Sequence, residues 1–308
     1  MKSHPSFFVT ILGNGSAVPT ATTNLTSQIV TFGKLRFMID CGEGTQHQLF
    51  RLHIRQANLD HVLISHLHGD HFYGLFGLLS TMHLFGREKP FTVFAPAALE
   101  PVIAQVLQIS DTTLRFPLVF QALENYANTP LIHNKDITIN CFPVLHRIPT
   151  WGFTFTEQPK PRKISKEFLN THQPNIEDIK AIKAGAGYTT SSGEFLSHEE
   201  VTENPQKTRS YAFCADTAYH EPIIEYIQQF DLIYHEATFD DSMEKLAKEK
   251  FHATARHAAE LARKAQVGQL LLGHFSARHK ELTNLLAQAQ EVFPDTVLSE
   301  EGKTYNVG

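Results

Sequence analysis

The chain has 308 residues, 42% hydrophobic and 19% charged, which is enough apolar material for a substantial core and unlike a disordered or fibrous chain. A net charge of −5 with histidine neutral argues against a broadly basic nucleic-acid binder, though a local basic patch is compatible with that sum. Three cysteines, Cys41, Cys141 and Cys214, form no CxxC pair, imply no disulfide framework, and fit a reducing, cytoplasmic compartment.

Met1–Ser6 is polar and lacks a signal-peptide pattern, and no run approaches the about 18 apolar residues of a membrane span. Apolar runs predict strands at Phe7–Leu12, Ser27–Phe32, Leu35–Ile39, His61–Ser65 and Phe91–Phe94. Further strands are expected at Ile137–Phe142, Gly152–Phe155, Tyr211–Cys214, Leu232–His235 and Gln269–Leu272. Amphipathic spacing predicts helices at Gly74–Phe85, Pro96–Ile109, Glu221–Phe230, Thr254–Gln266 and His279–Phe293. Closely spaced early strands followed by strands alternating with helices indicate an α/β fold of two sheets covered by helices. Gln158–Gln206 interrupts the pattern: it is polar, holds four prolines and three glycines, and contains one possible helix, Asn175–Lys183. Its first part is basic, with Lys160, Arg162, Lys163, Lys166, Lys180 and Lys183 against Glu167, Glu177 and Asp178. That pattern reads either as a functional arm or as a solvated insertion.

Eighteen histidines point to metal chemistry, because imidazole is the commonest metal-binding side chain. The centre of the signal is His66-Leu67-His68-Gly69-Asp70-His71, directly after a strand. Alternation puts His66 and His68 on one side, and Gly69 permits a turn that lets Asp70 and His71 face a neighbouring point. Nitrogen and oxygen donors in this spacing suit two zinc-like ions. Further ligands are expected past later strands, and His146, Asp216 and His274 stand there. His53, His61, His83, His133, His172 and His198 have no partner at ligand spacing and read as surface or core residues.

The His66–His71 cluster with its later ligands resembles the metallo-β-lactamase superfamily. Within it, Leu12-Gly13-Asn14-Gly15-Ser16-Ala17-Val18-Pro19-Thr20, Asp40–Gln48, His235-Glu236-Ala237-Thr238-Phe239, His252-Ala253-Thr254 and Gly273–Arg278 resemble the ribonuclease Z family of tRNA 3′-processing endonucleases. These motifs run from residue 12 to residue 278, nearly the whole chain. The resemblance implies a single αββα metallo-β-lactamase sandwich over 1–308, with 158–206 as a protruding arm that binds precursor tRNA. It implies two Zn2+ per chain, one on His66, His68 and His146, the other on Asp70, His71 and His274, with Asp216 bridging, and a homodimer. The arm lacks a clear Gly-Pro-rich motif, and Ala253 stands where serine is more usual.

Two metal ions suit hydrolysis of a phosphodiester by an acidified water, with Asp70 orienting that water and taking its proton. Glu236 and His252 are the expected proton donors to the leaving ribose oxygen. His235 reads either as their neighbour or as an outer partner of a ligand, and Asp40 as a brace for the ligands. Arg278 reads as a phosphate contact or as a surface charge, as do Lys160, Arg162, Lys163, Lys180 and Lys183. Gly13–Ser16 reads as a tight turn, and Gly42–Gln48 as amides that face a phosphate. A small-molecule phosphodiesterase and a non-catalytic, metal-stabilised RNA-binding protein are the alternative functions.

Overall fold

Runs such as Ser27–Phe32 and Leu232–Glu236 are strands buried on both faces, so their polar members, among them Gln28 and His235, are buried along with the apolar ones. The computed structural model describes residues 5–205 and 207–308, so the polar start Met1–His4 and the last residue of the expected arm, Gln206, lie outside the described residues. The chain forms two compact units. The larger comprises the chain up to Asn134, Thr138–Thr156 and Arg209–Gly308; the smaller comprises Lys135–Ile137 and Glu157–Thr208.

The larger unit holds two seven-stranded sheets. The first has the order Thr304–Asn306, Phe7–Gly13, Ser27–Phe32, Leu35–Ile39, His61–Leu63, Phe91–Ala95, Leu118–Ala122. Its first part is antiparallel, and from Leu35–Ile39 onward its strands run parallel. The second sheet runs Thr296–Leu298, Gln269–Gly273, Leu232–Glu236, Ser210–Phe213, Trp151–Glu157, Ile137–Pro143, Ile132–His133, and its first four strands are parallel.

Helices cover the outer face of each sheet. Leu49, Leu75, Leu78, Leu79, Met82, Leu99 and Ile103, from Thr45–Arg51, Gly74–Leu84 and Leu99–Ile109, pack on Met38, Val62, Ile64 and Val93. On the other side, Ala255, Ala258, Ala259 and Ala262 repeat at helical spacing along Ala255–Lys264 and bring that helix close to Ile233, Leu270 and Leu272. The inner faces meet through Phe37 and Phe155, whose rings are 5.6 Å apart, and through the hydrogen bond from the Tyr211 hydroxyl to Gln28. Each fully buried Leu, Ile, Val or Phe contributes about 1.5–3 kcal/mol, so these layers carry most of the folding free energy. None of the described helices is long and apolar enough to cross a membrane.

Several helices differ from expectation, among them Lys166–His172 and Glu244–Lys250, which were not expected. Glu221–Phe230 breaks into a 3-10 turn, Glu221–Ile223, and one helical turn, Ile224–Ile227; Pro222 sits in the first, and Gln229 adopts φ 59°. His279–Phe293 contracts to Thr283–Gln290. Thr45–Arg51 is a helix with no side-chain cap and little apolar periodicity, so that only a helix start within Gly42–Gln48 was expected there.

The smaller unit has a core of its own: Phe168, Ile182 and Val201 are buried, with Ile164, Tyr188 and Leu196 packed against them. Ser165 caps the helix Lys166–His172, and Asn175 caps Ile176–Lys183 in a reciprocal box with Asp178. A cap of that kind contributes about 1 kcal/mol, appreciable where three buried side chains make the core. A two-stranded hairpin, Tyr188–Thr189 with Phe195–Leu196, completes it.

Candidate metal centre

The site side chains sit at or just past the carboxyl ends of strands, where an open α/β sheet leaves room for a ligand. His66 and His68 follow His61–Leu63, His146 follows Ile137–Pro143, Asp216 follows Ser210–Phe213, Glu236 ends Leu232–Glu236, and His274 follows Gln269–Gly273. Several strand ends here turn through backbone that L-residues rarely adopt, Asp40 at φ 53°, Ala215 at 50° and His274 at 57°, as does Phe251, at 59°, after the helix Glu244–Lys250. Such conformations are costly for residues with a Cβ and persist where surrounding structure holds them, typically at functional sites. Close approach matters at Gly42 and Gly74, which open the way to Gly74–Leu84: a Cβ on Gly74 would lie 2.1 Å from the Gly42 carbonyl oxygen.

The structure brings all seven expected donors together. His66, His68, His146 and Asp216 form one group, and Asp70, His71 and His274 another, with ligand atoms in each group within 4.8 Å of one another. His66 Nε2, His68 Nδ1 and His146 Nε2 crowd together at 3.0 and 3.2 Å. Asp216 Oδ2 lies 3.7 Å from His66 Nε2, 3.4 Å from His71 Nε2 and 3.3 Å from His274 Nε2, the reach of a bridge between the groups. Asp70 Oδ2 is 3.6 Å from His71 Nε2 and 3.5 Å from His274 Nε2.

The outer hydrogen bonds fix which nitrogen each ring turns inward. A carboxylate or carbonyl oxygen only accepts, so the imidazole nitrogen it meets must carry the proton. His71 Nδ1 donates to Asp40 Oδ2 at 2.7 Å, and His146 Nδ1 to the Phe251 carbonyl at 2.8 Å. The Ser65 hydroxyl donates to Asp40 Oδ2 at 2.9 Å and so accepts from His66 Nδ1 at 3.0 Å. The Thr238 hydroxyl donates to Glu236 Oε2 at 2.6 Å and so accepts from His274 Nδ1 at 2.9 Å. All four rings turn Nε2 to the centre, and those of His71 and His274 are buried with no hydrogen-bond partner. Buried polar atoms without partners are costly, and ligation of a cation by these nitrogens relieves that cost. The residues therefore fit a pair of divalent ions.

Electrostatics agree. Burial holds the His66 imidazole well below its ordinary pKa; burial and His146 bring His68 to about 4, so both rings are neutral at neutral pH, as metal ligation requires. Burial raises the Asp216 carboxyl, but His274 and His71 more than offset it and keep it ionised. Burial also opposes charge on His71, yet Asp216, Asp40 and Asp70 lift it well above the usual range, so a metal entering here displaces a proton.

Glu236 and His252 form a pair beside the cluster, His252 Nδ1 donating to Glu236 Oε1 at 2.8 Å. Glu236 also accepts the Thr217 amide at 2.7 Å and the Thr238 hydroxyl; burial raises its pKa, but the neighbouring His252 outweighs burial and holds it below the ordinary carboxylate value. Burial lowers the His252 pKa, but Glu236 and Asp216 outweigh it and lift it to about 9. His252 lines a cavity of about 440 Å³ together with His68, Asp70, Tyr73, Asp216 and His274. A larger cavity of about 900 Å³, lined by residues such as Phe50, Gln56 and Arg87, contains none of the candidate ligands.

The other expected site residues are placed differently. His235 turns its Nδ1 to the Glu236 carbonyl at 2.8 Å. The amides of Gly42, Thr45, His47 and Gln48 bond to carbonyls of Thr26, Gly42 and Gly44, so they are not offered to a phosphate. Gly13–Ser16 does more than turn: Gly15–Ser16 pairs with Phe275–Ser276, and the Ala17 amide donates to Asp70 Oδ2 at 2.7 Å. Arg278 is exposed. In the smaller unit, Lys163, Lys180 and Lys183 are exposed, and Lys160 pairs with Glu157 at 3.3 Å. Arg162 is committed to the unit's own fold through Thr202 Oγ1 at 2.6 Å and Asn204 Oδ1 at 3.4 Å. The sequence reading assigned no role to Thr238 or Phe251; for Thr238, the two-residue alternation from Glu236 along one face was the available signal.

Residues 7–159 match the family model of the anti-Pycsar protein Apyc1. The chain is 40% identical to the ribonuclease Z of Parabacteroides distasonis over 301 residues, covering 98% of this chain and 99% of the relative. It is also 40% identical to the ribonuclease Z of Bacteroides thetaiotaomicron over 295 residues, covering 96% and 93%. Among solved structures, human tRNase Z, short form, superposes with a TM-score of 0.71 at 24% identity, covering 98% of this chain and 99% of that one. The metallo-β-lactamase fold protein YhfI of Bacillus subtilis superposes at 0.69 with 18% identity, covering 98% and 100%. The two-sheet architecture with outer helices is the metallo-β-lactamase fold.

Proposed function

The chain belongs to the ribonuclease Z family, and from that premise we propose that it removes the 3′ trailer of precursor tRNA by zinc-dependent hydrolysis. The cut leaves a 3′-hydroxyl on the tRNA and a 5′-phosphate on the trailer. The protein is a metal-dependent endoribonuclease of tRNA 3′-end processing. The observation that carries the finer reading is the convergence of seven ligand side chains beside the Glu236–His252 pair.

In this reading the centre would hold two zinc ions, His66, His68 and His146 being the ligands for one, Asp70, His71 and His274 for the other, and Asp216 a ligand available to both; nitrogen and carboxylate donors of this kind suit zinc. When bound, the ions supply positive charge at the scissile phosphate and acidify a water. Asp70 orients that water and takes its proton, while the Ala17 amide steadies the carboxylate. Glu236 holds His252 protonated and turned so that Nε2 gives its proton to the departing ribose 3′-oxygen, a contribution of about 10²–10⁴-fold. Thr238 and Phe251 fix the rings of His274 and His146.

The smaller unit serves as the arm that binds tRNA, with Lys160, Lys163, Lys180 and Lys183 offered to phosphates while Arg162 holds the unit together. Arg278 is offered to a phosphate from the larger unit. A cytoplasmic location, consistent with three free, buried cysteines, and a symmetric homodimer belong to the same reading.

The test is to incubate the purified protein with a 3′-extended tRNA, with and without chelator, and to map the ends. The reading expects one cut at the trailer junction, lost with chelator and restored by zinc. Cleavage of small activated diesters alone supports the small-molecule alternative, and tRNA binding without any cut supports the non-catalytic one.

A further inference from the structure

Four of the five histidines in the cluster set an outer nitrogen against an acceptor, and His68 does not. Its Nδ1 faces the cluster, and its Nε2 meets Arg147 Nη2 at 3.2 Å. A guanidinium has five donors and no acceptor. A neutral His68 that gives its Nδ1 lone pair to a cation keeps its proton on Nε2, so two donors then face each other and the contact supplies no hydrogen bond. Arg147 has no other anchor: it is exposed, and it makes no ion pair with a carboxylate among the described residues. It is also the one lysine or arginine among the described residues lining the 440 Å³ cavity, where Glu43 is the one other charged side chain besides the candidate ligands and His252. A phosphodiester entering this cavity brings a negative charge past Glu43, and a planar fork matched to phosphate oxygens stands at the wall.

We infer that Arg147 is a substrate-binding residue, its guanidinium taking a non-bridging oxygen of the phosphate that occupies the cavity. The inference rests on the reading of this site as a phosphodiester hydrolase. His146 and Arg147 then divide one loop between two tasks, the first holding a metal and the second holding the anion. No proton transfer by Arg147 is involved, and its charge persists at every working pH.

The test compares Arg147→Ala and Arg147→Lys with the zinc-loaded wild-type chain. Inorganic phosphate binding is measured by titration calorimetry, zinc by atomic absorption, and kcat/KM on a 3′-extended tRNA and on bis(4-nitrophenyl) phosphate. Arg147→Ala is expected to weaken phosphate binding and to lower kcat/KM on both substrates by roughly ten-fold or more, as loss of a charge-assisted hydrogen bond does, with zinc content unchanged. Arg147→Lys falls between, restoring the charge without the fork. Unchanged phosphate affinity and kcat/KM in Arg147→Ala overturn the inference, as does loss of zinc, which would make Arg147 a support for His68. If the wild type cleaves only the small diester and Arg147→Ala impairs that reaction, the tRNA reading fails and the role of Arg147 stands. If Arg147→Ala processes tRNA normally, the role of Arg147 fails and the tRNA reading stands.

Discussion

The metal centre and the smaller unit are built on opposite principles. At the centre, buried polar groups are held by specific partners: Asp40 holds His71 and Ser65, Glu236 holds Thr217, Thr238 and His252, and strained strand ends aim the side chains. In the smaller unit, a core of three buried side chains supports lysines that make few contacts and stay in solvent. Such a difference predicts that single changes at the centre act steeply and through the metal, whereas changes on the lysines act gradually and through salt-dependent affinity.

The steepest expected effect is at Asp216, the carboxylate within reach of both groups. Asp216→Ala is expected to abolish turnover and to drop metal content below two per chain, read by activity assay and atomic absorption; full metal content with normal turnover would remove the bridge from the account. His252→Ala is expected to lower kcat by about 10²–10⁴-fold with two metals retained. Emptying of the metal site in that variant would show that His252 is a structural ligand. The same pair carries a pH test. Glu236 raises the pKa of His252, so the protonated donor is lost only as pH climbs toward about 9. Glu236→Gln removes that support, and the alkaline fall in kcat is expected to move to lower pH; an unmoved limb would separate the two residues.

A smaller loss is expected from Thr238→Val, which keeps the shape and deletes the hydroxyl between Glu236 and His274. Outer partners of metal ligands typically contribute about 10–100-fold to metal affinity or activity, and Thr238→Ser should restore it. The smallest effect belongs to the lysines. Changing Lys163, Lys180 and Lys183 together to Ala is expected to raise KM for precursor tRNA several-fold and to leave a small diester untouched. It should also flatten the salt dependence of tRNA binding by about 0.9 for each phosphate that is no longer neutralised. Equal losses on both substrates would mean that the smaller unit acts on the centre and not on RNA. Point changes are preferable to excising Lys160–Lys183, because Phe168 and Ile182 lie in that stretch and carry the unit's core.

The centre was legible in the sequence to an unusual degree, because four of its donors are local. His66–His71 follows one strand, and each remaining ligand follows a strand whose apolar run stands out from its surroundings. The partners that fix those ligands were not legible. The Phe251 carbonyl that orients His146 comes from 105 residues away, and the Ala17 amide on Asp70 from 53, contacts that no local pattern reports. Backbone groups carry no residue signature at all. The strand Leu118–Ala122 was missed because it is half-exposed and short of β-branched residues, and it is placed by pairing with Phe91–Ala95. In the smaller unit the second helix was expected at Asn175–Lys183, but the fold was not legible, since a core of so few apolar residues leaves little periodicity to see.

The most direct test is anomalous diffraction at the zinc edge from crystals of the protein grown with zinc. The account predicts two peaks, one among His66, His68 and His146 and one among Asp70, His71 and His274, each touching an oxygen of Asp216. A single peak, or peaks away from these seven side chains, would contradict it.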